Sequence, residues 1–218
     1  MLASFSPSME FLEKRQMLSA SGASLGGVGV IGDSYGDEFQ FYAPDRSTAK
    51  NFVELLAADR KFNFGAFTTI NRDEPRNAGF AFDWARSGDT SSDLLAHGQH
   101  TGLAAQIASG DVKYAFVFVG GNDFRGVFTS ADPLGALQVV VPTALTNIAT
   151  AVSTLLAANP DVKVVVATVP GVGILPEARF AVAAGYLPQA LVDGVDAAAA
   201  ALNEQIRILA DSSPRIAV

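Results

Sequence analysis

A serine placed just beyond an apolar strand, in a turn flanked by glycines, is a candidate nucleophile. Ser34 has that position, in the run Val28-Gly-Val-Ile-Gly-Asp-Ser-Tyr-Gly36. Gly32 and Gly36 permit the tight backbone that exposes such a hydroxyl, although a serine there also reads as a plain helix or turn cap. In Val117-Phe-Val-Gly-Gly-Asn-Asp123, Asn122 follows a second apolar run. An amide donor at that place stabilises an oxyanion, an effect worth about 3 kcal/mol. Taken alone, Asn-Asp after two glycines favours a turn. Gly88, in Trp84-Ala-Arg-Ser-Gly-Asp-Thr-Ser-Ser92, offers a backbone N–H before a capped helix, or is an ordinary loop glycine. A nucleophile with two donors is an arrangement for acyl transfer, which also needs a base.

The base is the difficulty. The two histidines, His97 and His100, lie mid-chain, and none follows them. Spaced i and i+3, they suggest metal ligands only if an acidic or histidine cluster completes the set, and none is nearby in sequence. They read as solvated or capping residues, and neither a metal nor a cofactor is expected. Arg72, Asp73, Glu74 and Arg76 form a charged loop that reads as solvated, with a substrate-rim role as the alternative. Asp33 is expected to order its turn through backbone N–H groups rather than act as a base.

The elements that must position these residues are legible as apolar runs over residues 27–31, 114–119 and 162–169. They lack polar alternation, as parallel strands covered by helices do. A weaker run over residues 62–69 is expected as a further strand, and residues 215–218 as the start of a last one. Helical patterns cover residues 48–59 after a Ser-Thr cap, 133–158 and 188–210, while residues 91–109, interrupted by Gly98 and Gly102, suggest two short helices. Strand alternating with helix implies right-handed crossovers in an α/β three-layer sandwich with a central parallel sheet. Ligands then bind beyond the carboxyl ends of the strands, where Ser34 and Asn122 fall.

Composition narrows the function. The 218 residues are 49% hydrophobic and 17% charged, enough for one large core, with a formal net charge of −7 that argues against nucleic acid as a partner. The absence of cysteine removes thiol nucleophiles, disulfides and zinc–thiolate sites. No uninterrupted apolar stretch of about 20 residues is present, so stable membrane insertion is not expected. Residues 1–16 mix Glu10, Glu13, Lys14 and Arg15 with apolar residues, and no signal peptide is recognisable.

Together, in this order, the three segments resemble the SGNH (GDSL) hydrolase superfamily. Gly32-Asp33-Ser34 is similar to its first block, Gly88 to its second, and Gly120-Gly121-Asn122-Asp123 to its G-x-N-D third. Tyr35, Phe41, Tyr42, Asn77, Phe80 and Trp84 extend the likeness to lipase-like and esterase-like members. The resemblance implies a flavodoxin-like fold over residues 28–218 after an N-terminal extension of residues 1–27. It implies a serine ester hydrolase in which Ser34 forms an acyl-enzyme, while the N–H groups of Ser34 and Gly88 and the Asn122 side chain hold the oxyanion. The substrate would be a small-molecule, glycan or lipid ester. Many members are secreted, which implies a secreted or periplasmic location that the amino terminus itself does not indicate.

The family's fourth element, a C-terminal D-x-x-H block that supplies the base, is missing. Asp93-Leu-Leu-Ala-His97 has the wrong spacing and place. The expectation is therefore a domain incomplete at its carboxyl end, weak or inactive as it stands, with an exposed sheet edge open to self-association. The rival reading is an inactive SGNH-fold binding module. Gly32 to Gly36 also satisfies the G-x-S-x-G elbow of α/β-hydrolases, but too few residues precede it to supply that fold's earlier strands. Phosphate binding lacks both G-x-G-x-x-G spacing and a Lys-Ser/Thr pair.

Overall fold

The computed structural model describes residues 26–37, 50–68 and 79–218. Its centre is a parallel sheet in the order β1 (Gly27–Gly32), β4 (Val112–Phe118), β5 (Lys163–Val166) and β6 (Ile216–Ala217). Register fixes where the strands end. Gly32 stands beside Phe118 and Val117 beside Val166, so the three carboxyl ends open on one rim. β1 is buried at every position, as a parallel strand covered on both faces is.

The helices are α1 (Phe52–Arg60), α2 (Ser91–Ala96), α3 (Gln99–Ala108), α4 (Gly121–Thr129), α5 (Pro133–Ala158), α6 (Pro176–Ala183) and α7 (Gln189–Asp211). One face of the sheet packs its Ala115, Val117, Val164 and Val166 against Leu103 and Ile107 of α3, Ile148 and Leu155 of α5, and Leu202 and Ile206 of α7. The other face carries Val28, Val30 and Phe116 and meets Val53 and Phe52 of α1. Helices thus lie on both faces of a parallel sheet, as expected.

Four local expectations are corrected. The run over residues 62–69 does not extend the central sheet as a strand. Asn63 gives β1 one bond, Val28 N to its carbonyl at 2.8 Å, and then Phe82 and Trp84 take over that edge by bonding both backbone groups of Val30 at 2.9 and 2.8 Å. Displaced, Phe67–Thr68 (β2) pairs antiparallel with Gly79–Phe80 (β3). The run over residues 162–169 is strand only as far as Val166. The first described helix opens at Asn51, whose side chain and Glu54 cap each other, while Ser47 and Thr48 lie outside the described residues. Finally, Gly98 separates α2 from α3, but Gly102 lies inside α3, because the Trp84 ring occupies the place its Cβ would take.

α5 is long and apolar enough, by length and composition, to cross a membrane. It lies against the sheet through Val140, Ala144, Ile148, Ala151, Val152 and Leu155. Its exposed Thr146 and Thr150 and half-buried Thr154 return their hydroxyls to the carbonyls of Pro142, Thr146 and Thr150, so an outward face can be polar in kind and still weakly solvated.

Candidate active site

The turn after β1 is set by one close approach. A Cβ on Gly32 would lie 2.0 Å from the Phe118 carbonyl oxygen, and its φ of +152° is one that L side chains rarely adopt. The glycine lets β1 stay against β4 to its last residue, where Asp33 N donates to that same oxygen at 3.1 Å. The chain then folds over Asp33. Its carbonyl accepts Gly36 N and Asp37 N at 3.0 and 3.1 Å, and its Oδ1 accepts Tyr35 N at 3.0 Å. Ser34 sits half-buried on this turn, and Tyr35 stacks on the Phe118 ring at 4.6 Å. Asp33 thus orders the turn as the sequence suggested.

The loop that carries Gly88 is bound to this turn. Arg86 N donates to Gly32 O at 3.1 Å, and Ser87 N donates to Oδ2 of Asp37 at 2.8 Å. Gly88 itself is exposed, with φ +92° and nothing within 4 Å of a Cβ, so its backbone N–H stands in an open loop. α2 follows at once, capped by Thr90 and Asp93 reciprocally.

Asn122 is the second residue of α4 and not part of a turn, the reading its segment favours when taken alone. Its Nδ2 donates to the carbonyl of Asp89 at 3.0 Å. Beside it, Asp123 accepts Ser91 N at 2.9 Å and Ser91 Oγ at 2.6 Å, and Asn147 of α5 donates to the same hydroxyl at 3.0 Å. The start of α4 and the start of α2 are therefore clamped together. The three sequence segments meet at one end of the sheet.

Burial gives the site an unusual acid. Burial, with the charges of Asp123 and Asp89 adding to it, raises the Asp33 carboxyl to about 7 against the opposing Tyr35 N–H bond. Asp123 is raised as well, by burial that its Ser91 bonds only partly offset. Because folded Asp33 holds its proton more tightly than the unfolded chain, its contribution to stability is complete below about pH 4 and is lost as pH rises towards 7. Asp33→Asn keeps an oxygen for Tyr35 N and removes the titration. Thermal unfolding from pH 4 to 8 should show the variant gaining on the wild type as pH rises, by up to about 3–4 kcal/mol. A difference that stays constant with pH would contradict this.

Neither histidine stands in a D-x-x-H block, although His97 pairs with a carboxylate eight residues before it. His97 Nδ1 lies 2.8 Å from Oδ2 of Asp89, while Asp93 is occupied with Thr90, which holds its carboxyl below the usual range. His100 is partly buried, which lowers its pKa, and its Nδ1 has no partner. Among the described residues, no group of three or more His, Asp or Glu is placed to hold a metal ion. Phe41, Tyr42, Asn77 and the loop from Arg72 to Arg76 lie outside the described residues. Of the aromatic residues in the likeness, Trp84 donates Nε1 to Gln106 at 3.0 Å, and Phe80 packs against Phe64 and Phe67.

Sequence reasoning missed Asp89, Ser91, Gln99 and Asn147. Each acts through a contact more than 30 residues away or through a buried amide, and no local spacing records either.

The strand ends of the parallel sheet thus present a serine turn, a glycine loop and an asparagine-led helix side by side. The chain belongs to the GDSL-like lipase/acylhydrolase family, whose model matches residues 30–216. Its fold is similar to that of the extracellular lipase from Streptomyces rimosus, at 19% identity and TM-score 0.53, covering 86% of this chain and 76% of that one. Phospholipase A1 from Streptomyces albidoflavus NA297 gives 19% identity and TM-score 0.51 over 86% and 76% of the two chains. The lipase Lip_vut3 from a goat rumen metagenome gives 14% and 0.51 over 87% and 78%. No curated protein sequence matches the chain.

Proposed function

We propose that this chain is a serine ester hydrolase acting through an acyl-enzyme on Ser34. The supporting observation is the bond from Asn122 Nδ2 to the Asp89 carbonyl, 3.0 Å, which fastens the asparagine to the residue after Gly88. A carboxamide nitrogen carries two hydrogens, so one holds the loop while the other is left for an oxyanion. Ser34 Oγ attacks the ester carbonyl and gives up its proton to a base supplied from solution. The N–H groups of Ser34 and Gly88 and the Asn122 amide meet the negative oxygen. The tetrahedral intermediate expels the alcohol, which takes the proton, and water then releases the acid and restores the hydroxyl. A lipid ester is the first substrate class to assay, since the similar structures are a phospholipase and lipases. Export from the cell and self-association through the β6 edge are further parts of this proposal.

We assign the general base to neither histidine, since neither stands in a D-x-x-H block; His97 Nδ1 pairs with Asp89, and His100 is partly buried. That observation also favours the second reading, an SGNH-fold binding module. The two part on chemical rescue. Imidazole in solution should supply the missing base and raise Ser34-dependent hydrolysis of p-nitrophenyl acetate at least about tenfold, short of what a positioned base gives. Ser34→Ala should show only the rate of imidazole with ester alone. Equal rates in the two proteins would leave the binding module standing.

A further inference from the structure

We propose that Gln99 is a positioning residue that fixes all three loops of the site relative to one another, an inference that rests on the roles of Ser34 and Asn122 given above. Its side chain is entirely buried at the first position of α3, an unusual place for a neutral polar group. Both of its polar atoms face the site. Oε1 accepts Gly32 N at 2.7 Å, and Nε2 donates both to Gly32 O at 3.0 Å and to Oδ2 of Asp89 at 2.8 Å.

A carboxamide that pairs with both the N–H and the carbonyl of one residue does what a neighbouring strand does. The edge of β1 needs that help. The segment after β3 bonds β1 at Val30 and, last, at Gly32 O through Arg86 N at 3.1 Å, which leaves Gly32 N without a backbone partner on that side. Gln99 supplies the partner, one residue before Asp33 and two before Ser34. Its remaining donor reaches Asp89, whose carboxylate also receives His97 Nδ1 at 2.8 Å and whose carbonyl receives Asn122 at 3.0 Å. One side chain therefore links the serine turn, the loop after Gly88 and the asparagine. An error of about 1 Å between a nucleophile and its donors costs about a hundredfold in rate, so this link bears on turnover more than on substrate binding.

Gln99→Met keeps the length and apolar stem and deletes the donor and acceptor. It is compared with wild type, Asn122→Ala and the double variant in imidazole-assisted hydrolysis of p-nitrophenyl acetate. The side-chain amide signals of Asn122 and the backbone signal of Gly88 are followed by NMR in wild type and Gln99→Met. The expected result is a fall in kcat of about tenfold to a hundredfold with KM nearly unchanged, displaced Asn122 and Gly88 signals, and a much smaller loss when the change is made on Asn122→Ala, because both act on one donor. A wild-type kcat in Gln99→Met, or losses that simply multiply in the double variant, would overturn the proposal. If wild type shows no Ser34-dependent turnover, the hydrolase reading fails by itself and the NMR signals decide: displaced signals uphold the link, and unmoved ones end it. Should the methionine variant not fold, Gln99→Glu, which has the same shape and fewer donors, is read by the same criteria.

Discussion

Asn122→Ala should lower the imidazole-assisted rate of ester hydrolysis by about a hundredfold to a thousandfold, with KM changed far less. The charge to be stabilised exists only once the serine has added to the carbonyl, so a donor aimed at it contributes to the barrier and little to ground-state binding. Asn122 is half-buried at the start of α4, and one of its amide hydrogens is spent on the Asp89 carbonyl. Truncation removes the oxyanion donor and that clamp together. Steady-state kinetics on the purified variant, with unfolding monitored in parallel, checks the expectation. A loss carried mainly by KM would mean that Asn122 binds substrate without stabilising the transition state.

The largest effect on stability is expected at Gly32. Gly32→Ala would set a methyl group 2.0 Å from the Phe118 carbonyl oxygen, which is backbone held in the β1–β4 ladder and cannot swing aside. The strand must separate or the turn must re-form, at a cost of about 3 kcal/mol or more. Gly88→Ala provides the contrast. It shares a positive φ, at +92°, but has open space around it, so it carries only the left-handed strain of about 1–2 kcal/mol. Denaturant titration of both variants should rank them in that order. A Gly32→Ala protein as stable as Gly88→Ala would show that the turn after β1 is looser than its geometry implies.

What the sequence disclosed and what it concealed follow from the range of the interactions. The strands β1 and β4 and the helix α5 could be read directly, because burial on both faces leaves unbroken apolar runs and α5 is one long stretch rich in Ala and Leu. Ser34, Gly88 and Asn122 could be named because each stands where an element ends. Their fastening could not be read. The bond from Gln99 to Gly32 joins residues 67 apart, and Asn147 reaches Ser91 across 56. Nor could the failure of the run after Phe62 to join the central sheet be foreseen, since it depends on Phe82 and Trp84 competing for the same edge of β1. The start of α4 was hidden for another reason: two glycines before Asn-Asp carry strong turn propensity, and only the clamp from Asp123 to Ser91 shows the helix to be held.

The most direct test of the site is to find where an acyl or phosphonyl group lands. Wild-type protein treated with a p-nitrophenyl phosphonate in the presence of imidazole, digested and mapped by mass spectrometry, should carry one adduct, on Ser34, formed markedly more slowly in Asn122→Ala. Modification confined to other residues, or an undiminished yield in Ser34→Ala, would contradict the assignment of Ser34 as the nucleophile.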